Sequence, residues 1–151
     1  MDIFLKNLKS ERRNAIPFAF LFVILIVLDQ LVKKYATNIF QNNNFAFSLP
    51  VPGWLMYLIY ASVLVGMVYY CAKNYHELGL LSGLAWVLIF AGAVSNISER
   101  IITGHVRDFI YITLYKWTGI YNLADGYIIL GIILLLIFSG KHSHTNDIQN
   151  F

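Results

Sequence analysis

The sequence predicts an all-α integral membrane protein: four transmembrane helices with small extracytoplasmic β or extended elements. Three observations predict it. Hydrophobic residues make up 58% of the 151 positions and charged residues only 13%, against roughly half and about a quarter in soluble domains. The apolar residues gather into four stretches, each close to the roughly 20 residues that cross a bilayer. Aromatic residues reach 16%, and rings collect at membrane–water interfaces. This composition excludes a disordered chain, a disulfide-rich scaffold and a conventional cytosolic enzyme. The formal net charge of +3 is too modest to make nucleic acid a partner. The single cysteine, Cys71, can form no internal disulfide and no Cys/His metal motif.

Residues 1–151 read as one polytopic membrane domain with spans at approximately 16–35, 54–72, 78–95 and 122–139. Within lipid the backbone must satisfy its own hydrogen bonds, so each span is expected to be a helix. The first runs from Ile16 to Leu28 and continues past Asp29 into Leu31 and Val32. Four of the eleven basic residues (Lys6, Lys9, Arg12, Arg13) precede it and act as a topology signal that holds the N-terminus in the cytoplasm. A basic segment before a short apolar core is also the form of a cleavable signal peptide. No small-x-small cleavage site follows, however, and Asp29, Lys33 and Lys34 come next, so an uncleaved span is expected.

The second span begins at Trp54, the third at Leu78 and the fourth near Ala124, with a tight inner turn at Lys73–Glu77. Four crossings return the tail, with Lys141, His142 and His144, to the cytoplasm. The Lys/Arg count of six inside against five outside discriminates poorly, so orientation rests on the first segment. The long connections, Lys33–Gly53 and Ser95–Leu123, then lie outside. In them Phe45–Ser48 and His105–Ile112 have strand-like composition and partial alternation. Glycines inside the spans are expected at close helix contacts.

Eight acidic residues are present. Asp2, Glu11, Glu77 and Asp147 fall in solvated segments. Asp29 sits at the outer end of the first span, Glu99 just past the outer end of the third, Asp108 in the outer loop and Asp125 at the outer start of the fourth. This topology gathers all four at one membrane face. Ionisable residues at membrane depth are costly and face the bundle interior. The plain alternative is that each caps a helix or pairs with Lys33, Arg100 or Arg107.

Two carboxylates in a partly dry pocket can share a proton. One takes a proton from water while the other polarises a carbonyl, which is amide hydrolysis without a metal. Asn96 and Asn122 could orient the pair and Arg100 could hold Glu99. A divalent-cation site, built from hard oxygen ligands, and a proton or ion pathway draw on the same residues, and spacing does not separate the three. Ser95 and Ser98 lack a histidine or lysine placed to activate them, and His105 reads as a loop residue.

The motifs, taken in order, resemble those of the bacterial lipoprotein signal peptidases (signal peptidase II). Leu28-Asp29-Gln30-Leu31-Val32-Lys33 resembles the first family block. Asn42-Asn43-Asn44-Phe45-Ala46-Phe47-Ser48 resembles the Asn-x-Gly-x-Ala-Phe-Ser block. Ala91 to Arg100 resembles the Gly-Gly-Ala-x-x-Asn-x-x-Asp-Arg block. Val106-Arg107-Asp108-Phe109 and Tyr121-Asn122-Leu123-Ala124-Asp125 resemble the two blocks that bring the family's aspartates.

The resemblance implies a divergent member: an aspartic endopeptidase of the bacterial inner membrane, with cytoplasmic termini and an extracytoplasmic site. It would cleave diacylglyceryl-modified prolipoproteins just before the lipidated cysteine. It assigns Asp108 and Asp125 as the catalytic dyad. Asn42, Asn96, Arg100 and Asn122 would support the dyad or position substrate, and Asp29 would be structural, with Lys33 and Glu99 beside it. It further implies no cofactor and no metal, contact with membrane lipids, inhibition by globomycin-type molecules and a monomeric protein.

Four positions depart from the pattern. Glu99 stands for Asp, Asn44 for Gly, Arg107 for an apolar residue and Gly126 for a small polar one. An Arg107 that reached Asp108 would favour its ionised form, but neighbours in an extended segment point to opposite faces, which would turn it to water or lipid headgroups. Two competing functions remain: a non-catalytic paralogue that binds lipidated peptides, and a small ion-coupled transporter.

Overall fold

The computed structural model describes residues 2–44, 51–73 and 79–139. Helix α1 covers Asp2–Tyr35, strand β1 Phe40–Asn42, α2 Gly53–Lys73, α3 Leu80–Thr103, β2 Val106–Asp108, β3 Ile110–Leu114, β4 Trp117–Tyr121 and α4 Leu123–Ser139. The chain is helical with two small sheets, as its composition predicts. Three stretches, Ile16–Tyr35, Gly53–Lys73 and Leu80–Thr103, are long and apolar enough to cross a membrane. Helix α4 is almost wholly apolar but has only 17 residues, about 25 Å at the usual rise.

The polarity is inverted relative to a water-soluble domain. Val27, Leu31, Leu58, Val65, Leu130 and Leu136 are exposed, whereas Asp29, Lys33, Ser95, Asn96, Glu99, Arg100, Asp108 and Asn122 are buried. An apolar surface of this extent suits hydrocarbon, and it leaves the interior to the polar residues. Helix α3 is central, packed along α4 and against α1. Leu25, Leu88 and Ala91 form its apolar contact with α1, joined by Phe22, Ile26, Tyr127 and Leu134. Helix α2 lies at the side, with Met56 its buried residue. It is tied to α3 by the Tyr57 hydroxyl, which donates to the Arg100 carbonyl at 3.2 Å, and by the Tyr70–Trp86 ring pair.

Small residues set the α3–α4 distance. A Cβ added at Gly92 would collide with the Ala124 carbonyl oxygen, and one at Gly131 would lie 2.5 Å from Ile89 Cγ1 and 2.7 Å from the Ala85 carbonyl oxygen. The two backbones therefore pack nearly in contact.

Two elements differ from the sequence-based expectation. The third helix does not stop near Ser95; it continues to Thr103, so Glu99 and Arg100 lie on the helix and not beyond it. No helix breaker intervenes before Gly104. That residue takes φ 83°, and its N–H donates to the Arg100 carbonyl, a left-handed cap that glycine adopts freely. The extended stretch expected at His105–Ile112 is divided at Phe109. Its first part, β2, pairs antiparallel with β1 in the register Phe40↔Asp108, Gln41↔Arg107, Asn42↔Val106. Its second part, β3, forms a hairpin with β4, from Ile110↔Tyr121 to Leu114↔Trp117. The expected Phe45–Ser48 element, residues 74–77 of the expected inner turn, and the tail with Lys141, His142 and His144 lie outside the described residues.

The close α3–α4 approach makes a prediction. Gly92→Ala and Gly131→Ala each lower the thermal midpoint in detergent by about 5 °C, a cost of roughly 1–3 kcal/mol for overpacking. Gly53→Ala and Gly66→Ala, where an added Cβ meets nothing within 4 Å, leave the midpoint within about 1 °C.

Candidate active site

Periodicity places the polar residues. On α3, Gly92, Ser95, Asn96, Glu99 and Arg100 recur at three- and four-residue intervals, so they share one inward face. On α1, Asp29 and Lys33 are separated by one turn and meet there. The Lys33 ammonium is fully buried and lies 2.8 Å from Asp29 Oδ2 and 2.9 Å from Glu99 Oε2. It donates a hydrogen bond to Asn96 Oδ1 at 2.8 Å, so one buried cation is held by two ion pairs and a hydrogen bond. Asp29 Oδ2 also accepts from the Ser95 hydroxyl at 2.6 Å. The Ser95 hydroxyl in turn accepts from Gln30 Nε2 at 2.8 Å, so it belongs to this framework.

The start of α4 supplies the second half. Asn122 Oδ1 accepts from the Asp125 N–H at 3.0 Å, and Asp125 Oδ2 accepts from the Asn122 N–H at 3.1 Å. This is a reciprocal capping box, with aspartate in the role more often taken by glutamate. Asp29 Oδ1 accepts from the Ala124 N–H at 2.9 Å, which satisfies another donor of that helix end. The remaining group of the capping residue, Asn122 Nδ2, donates to Asp108 Oδ1 at 2.6 Å. Asn122 therefore touches both carboxylates, one through its backbone and the other through its side chain.

Asp108 closes the site from β2. Its Oδ2 accepts from Asn42 Nδ2 at 2.9 Å, while Asp125 Oδ1 accepts from Asn96 Nδ2 at 2.8 Å. Each of the two carboxylates thus has two donors. Asp108 is buried and Asp125 half-buried. Burial holds the Asp108 carboxyl above its ordinary pKa, against the opposing pull of Asn42, Asn122, Lys33 and Arg100.

The structure brings together Asp29, Lys33, Asn42, Asn96, Glu99, Asp108, Asn122 and Asp125, but it reassigns one partnership. Arg100 does not hold Glu99. Its Nη2 donates to the Asn44 carbonyl at 3.1 Å and its guanidinium lies 5.6 Å from the Tyr60 ring centroid. Glu99 Oε1 instead accepts from the Arg107 guanidinium, which therefore does not turn to Asp108. Sequence reasoning missed Gln30 and the α2 tyrosines. Gln30 is a polar residue inside an apolar run, and Tyr57 and Tyr60 lie one turn apart; these were the available signals.

The signal peptidase (SPase) II family profile matches residues 21–140. The chain is 32% identical to the lipoprotein signal peptidase of Streptococcus pyogenes serotype M1, over 80% of this chain and 90% of that one. It is 31% identical to that of Xylella fastidiosa strain M12, over 86% and 93%. Its fold matches a bacterial membrane enzyme structure determined by the in meso method at 2.3 Å resolution, with a TM-score of 0.70 and 26% identity over 84% of this chain and 89% of that one.

The buried ammonium makes a prediction. Lys33→Met leaves Asp29 and Glu99 buried without their shared cation, a loss of roughly 3–5 kcal/mol. Thermal unfolding in detergent should show a midpoint lowered by about 10 °C or more, or no monodisperse protein.

Proposed function

Because the chain belongs to the signal peptidase II family, we propose that Asp108 and Asp125 act together as an aspartic endopeptidase that removes signal peptides from prolipoproteins. The observation that carries this reading is the bridge through Asn122, which holds one carboxylate by its side chain and the other by its backbone N–H. Cleavage falls immediately before a diacylglyceryl-modified cysteine. The site faces the extracytoplasmic side of the bacterial inner membrane, where acyl chains remain in lipid beside the apolar helix surfaces. Four crossings keep both termini in the cytoplasm.

The chemistry follows from a shared proton. One carboxylate is ionised and accepts a proton from water as the water oxygen attacks the scissile carbonyl carbon. The other is protonated and gives its proton to the carbonyl oxygen, producing a gem-diol. Collapse breaks the C–N bond and passes a proton to the leaving nitrogen, which yields an acid and an amine. Asn42, Asn96 and Asn122 orient the carboxylates, and Arg100, held by the Asn44 carbonyl beside the Tyr60 ring, supports the site. Any two apparent pKa values belong to the pair.

Cleavage of a diacylglyceryl-modified prolipoprotein in detergent tests this. Asp108→Asn and Asp125→Asn each lower kcat by about 10²–10⁴-fold without loss of monodisperse protein, and chelator changes nothing. Cleavage that survives both substitutions would instead favour the peptide-binding reading of the site.

A second expectation concerns pH. Asn42 favours the ionised form of Asp108, so Asn42→Ala raises the Asp108 pKa further. With Asp108 assigned as the ionised member that accepts the proton of water, the acid limb of kcat/KM then moves to higher pH by about one unit, the worth of one hydrogen bond to a charged group. A limb that stays in place or moves down would contradict the assignment.

A further inference from the structure

Strand β2 has three residues, and its partner β1 has three. So short a pair holds little register by itself, although it carries Asp108. Successive side chains of a strand point to opposite faces: Val106 and Asp108 are buried, and Arg107 between them is 27% exposed. On that opposite face Arg107 makes three contacts. Its Nε donates to Glu99 Oε1. Its backbone N–H donates to the same oxygen at 3.3 Å. Its Nη2 donates to Gln30 Oε1 at 3.3 Å. Both anchors are themselves fixed, Glu99 by Lys33 at 2.9 Å and Gln30 by Ser95 at 2.8 Å. The strand is thereby fastened to α3 and α1 at the residue next to Asp108. Glu99 and Arg107, two of the positions at which the sequence departs from the family pattern, meet each other here.

We infer that Arg107 is a positioning residue: clamped to Glu99 and Gln30, it fixes the β2 backbone and so the place at which the Asp108 carboxylate faces Asp125. The inference rests on the hydrolytic reading of that pair. Arg107 acts through the backbone and not through its charge. The cations that pull on the Asp108 carboxyl are Lys33 and Arg100.

The test combines kinetics on a diacylglyceryl-modified prolipoprotein with amide hydrogen exchange of residues 106–108, for the parent, Arg107→Ala, Arg107→Gln and Arg107→Lys. Arg107→Ala should lower kcat about tenfold with KM within about twofold, a modest displacement of a reacting group. Its acid limb should stay within about 0.3 units, and exchange at Arg107 and Asp108 should rise about tenfold. Arg107→Lys, which keeps a cation for Glu99, should recover kcat to within about threefold of the parent. If Arg107→Ala does not fold, Arg107→Gln takes its place in the same comparison. Unchanged kcat, unchanged exchange, an acid limb displaced by half a unit or more, or a lysine variant as impaired as alanine would each overturn the inference. A parent that cuts no substrate would overturn the hydrolytic reading alone, and the exchange data would still decide the clamp.

Discussion

The Lys33 ammonium is the fixed point of this molecule. A lone cation in so dry a place would lose its charge or bring in water. Here the Asp29 and Glu99 carboxylates neutralise the charge as ion pairs, and Asn96 Oδ1 accepts a hydrogen bond from it. Each acceptor then carries the order outward. Asp29 receives the N–H of Ala124 at the head of α4, Glu99 receives Arg107 on β2, and Asn96 donates to Asp125. One buried charge thus sets the relative placement of three helices and a strand that share no continuous segment of sequence.

The second economy of the design lies in Asn122. A helix in an apolar setting must satisfy the donors of its first turn, because no solvent will do so. The capping box of Asn122 and Asp125 meets that demand for α4, while Asp125 belongs to the proposed dyad and the Asn122 side chain holds its other member, Asp108. Structural need and chemical need coincide here. Sequence reading weighed a capping role for each acid against a functional one, and the geometry gives Asp125 a cap while also placing it beside a second carboxylate. The two readings were never exclusive.

The membrane class was legible in the chain, because hydropathy is a local property. So was the gathering of Asp29, Asp108 and Asp125, which followed from the order of the spans. The end of α3 was misplaced because polar Asn96, Glu99 and Arg100 resemble a loop when counted by polarity, whereas they are a buried helical stripe when counted by period. The division at Phe109 and the pairing of β1 with β2 were not legible. Partner choice between short strands is decided by contacts 66 residues apart, such as Asn42 with Asp108. Arg107 was legible in part: strand alternation turns it away from Asp108, as the sequence reading expected, but on that face it meets Glu99 and not water or headgroups.

The bond from the Ala124 N–H to Asp29 joins residues 95 positions apart, and this has a consequence for biosynthesis. While the chain emerges, α1 and α3 can enter the bilayer and pair through Lys33, but nothing before residue 122 can supply the second carboxylate or the amide that links it to Asp108. The proposed catalytic pair comes into being only when the last helix arrives and its first turn finds Asp29. A half-synthesised chain holds the framework and no paired carboxylates, so proteolytic competence is delayed until insertion of the bundle is complete.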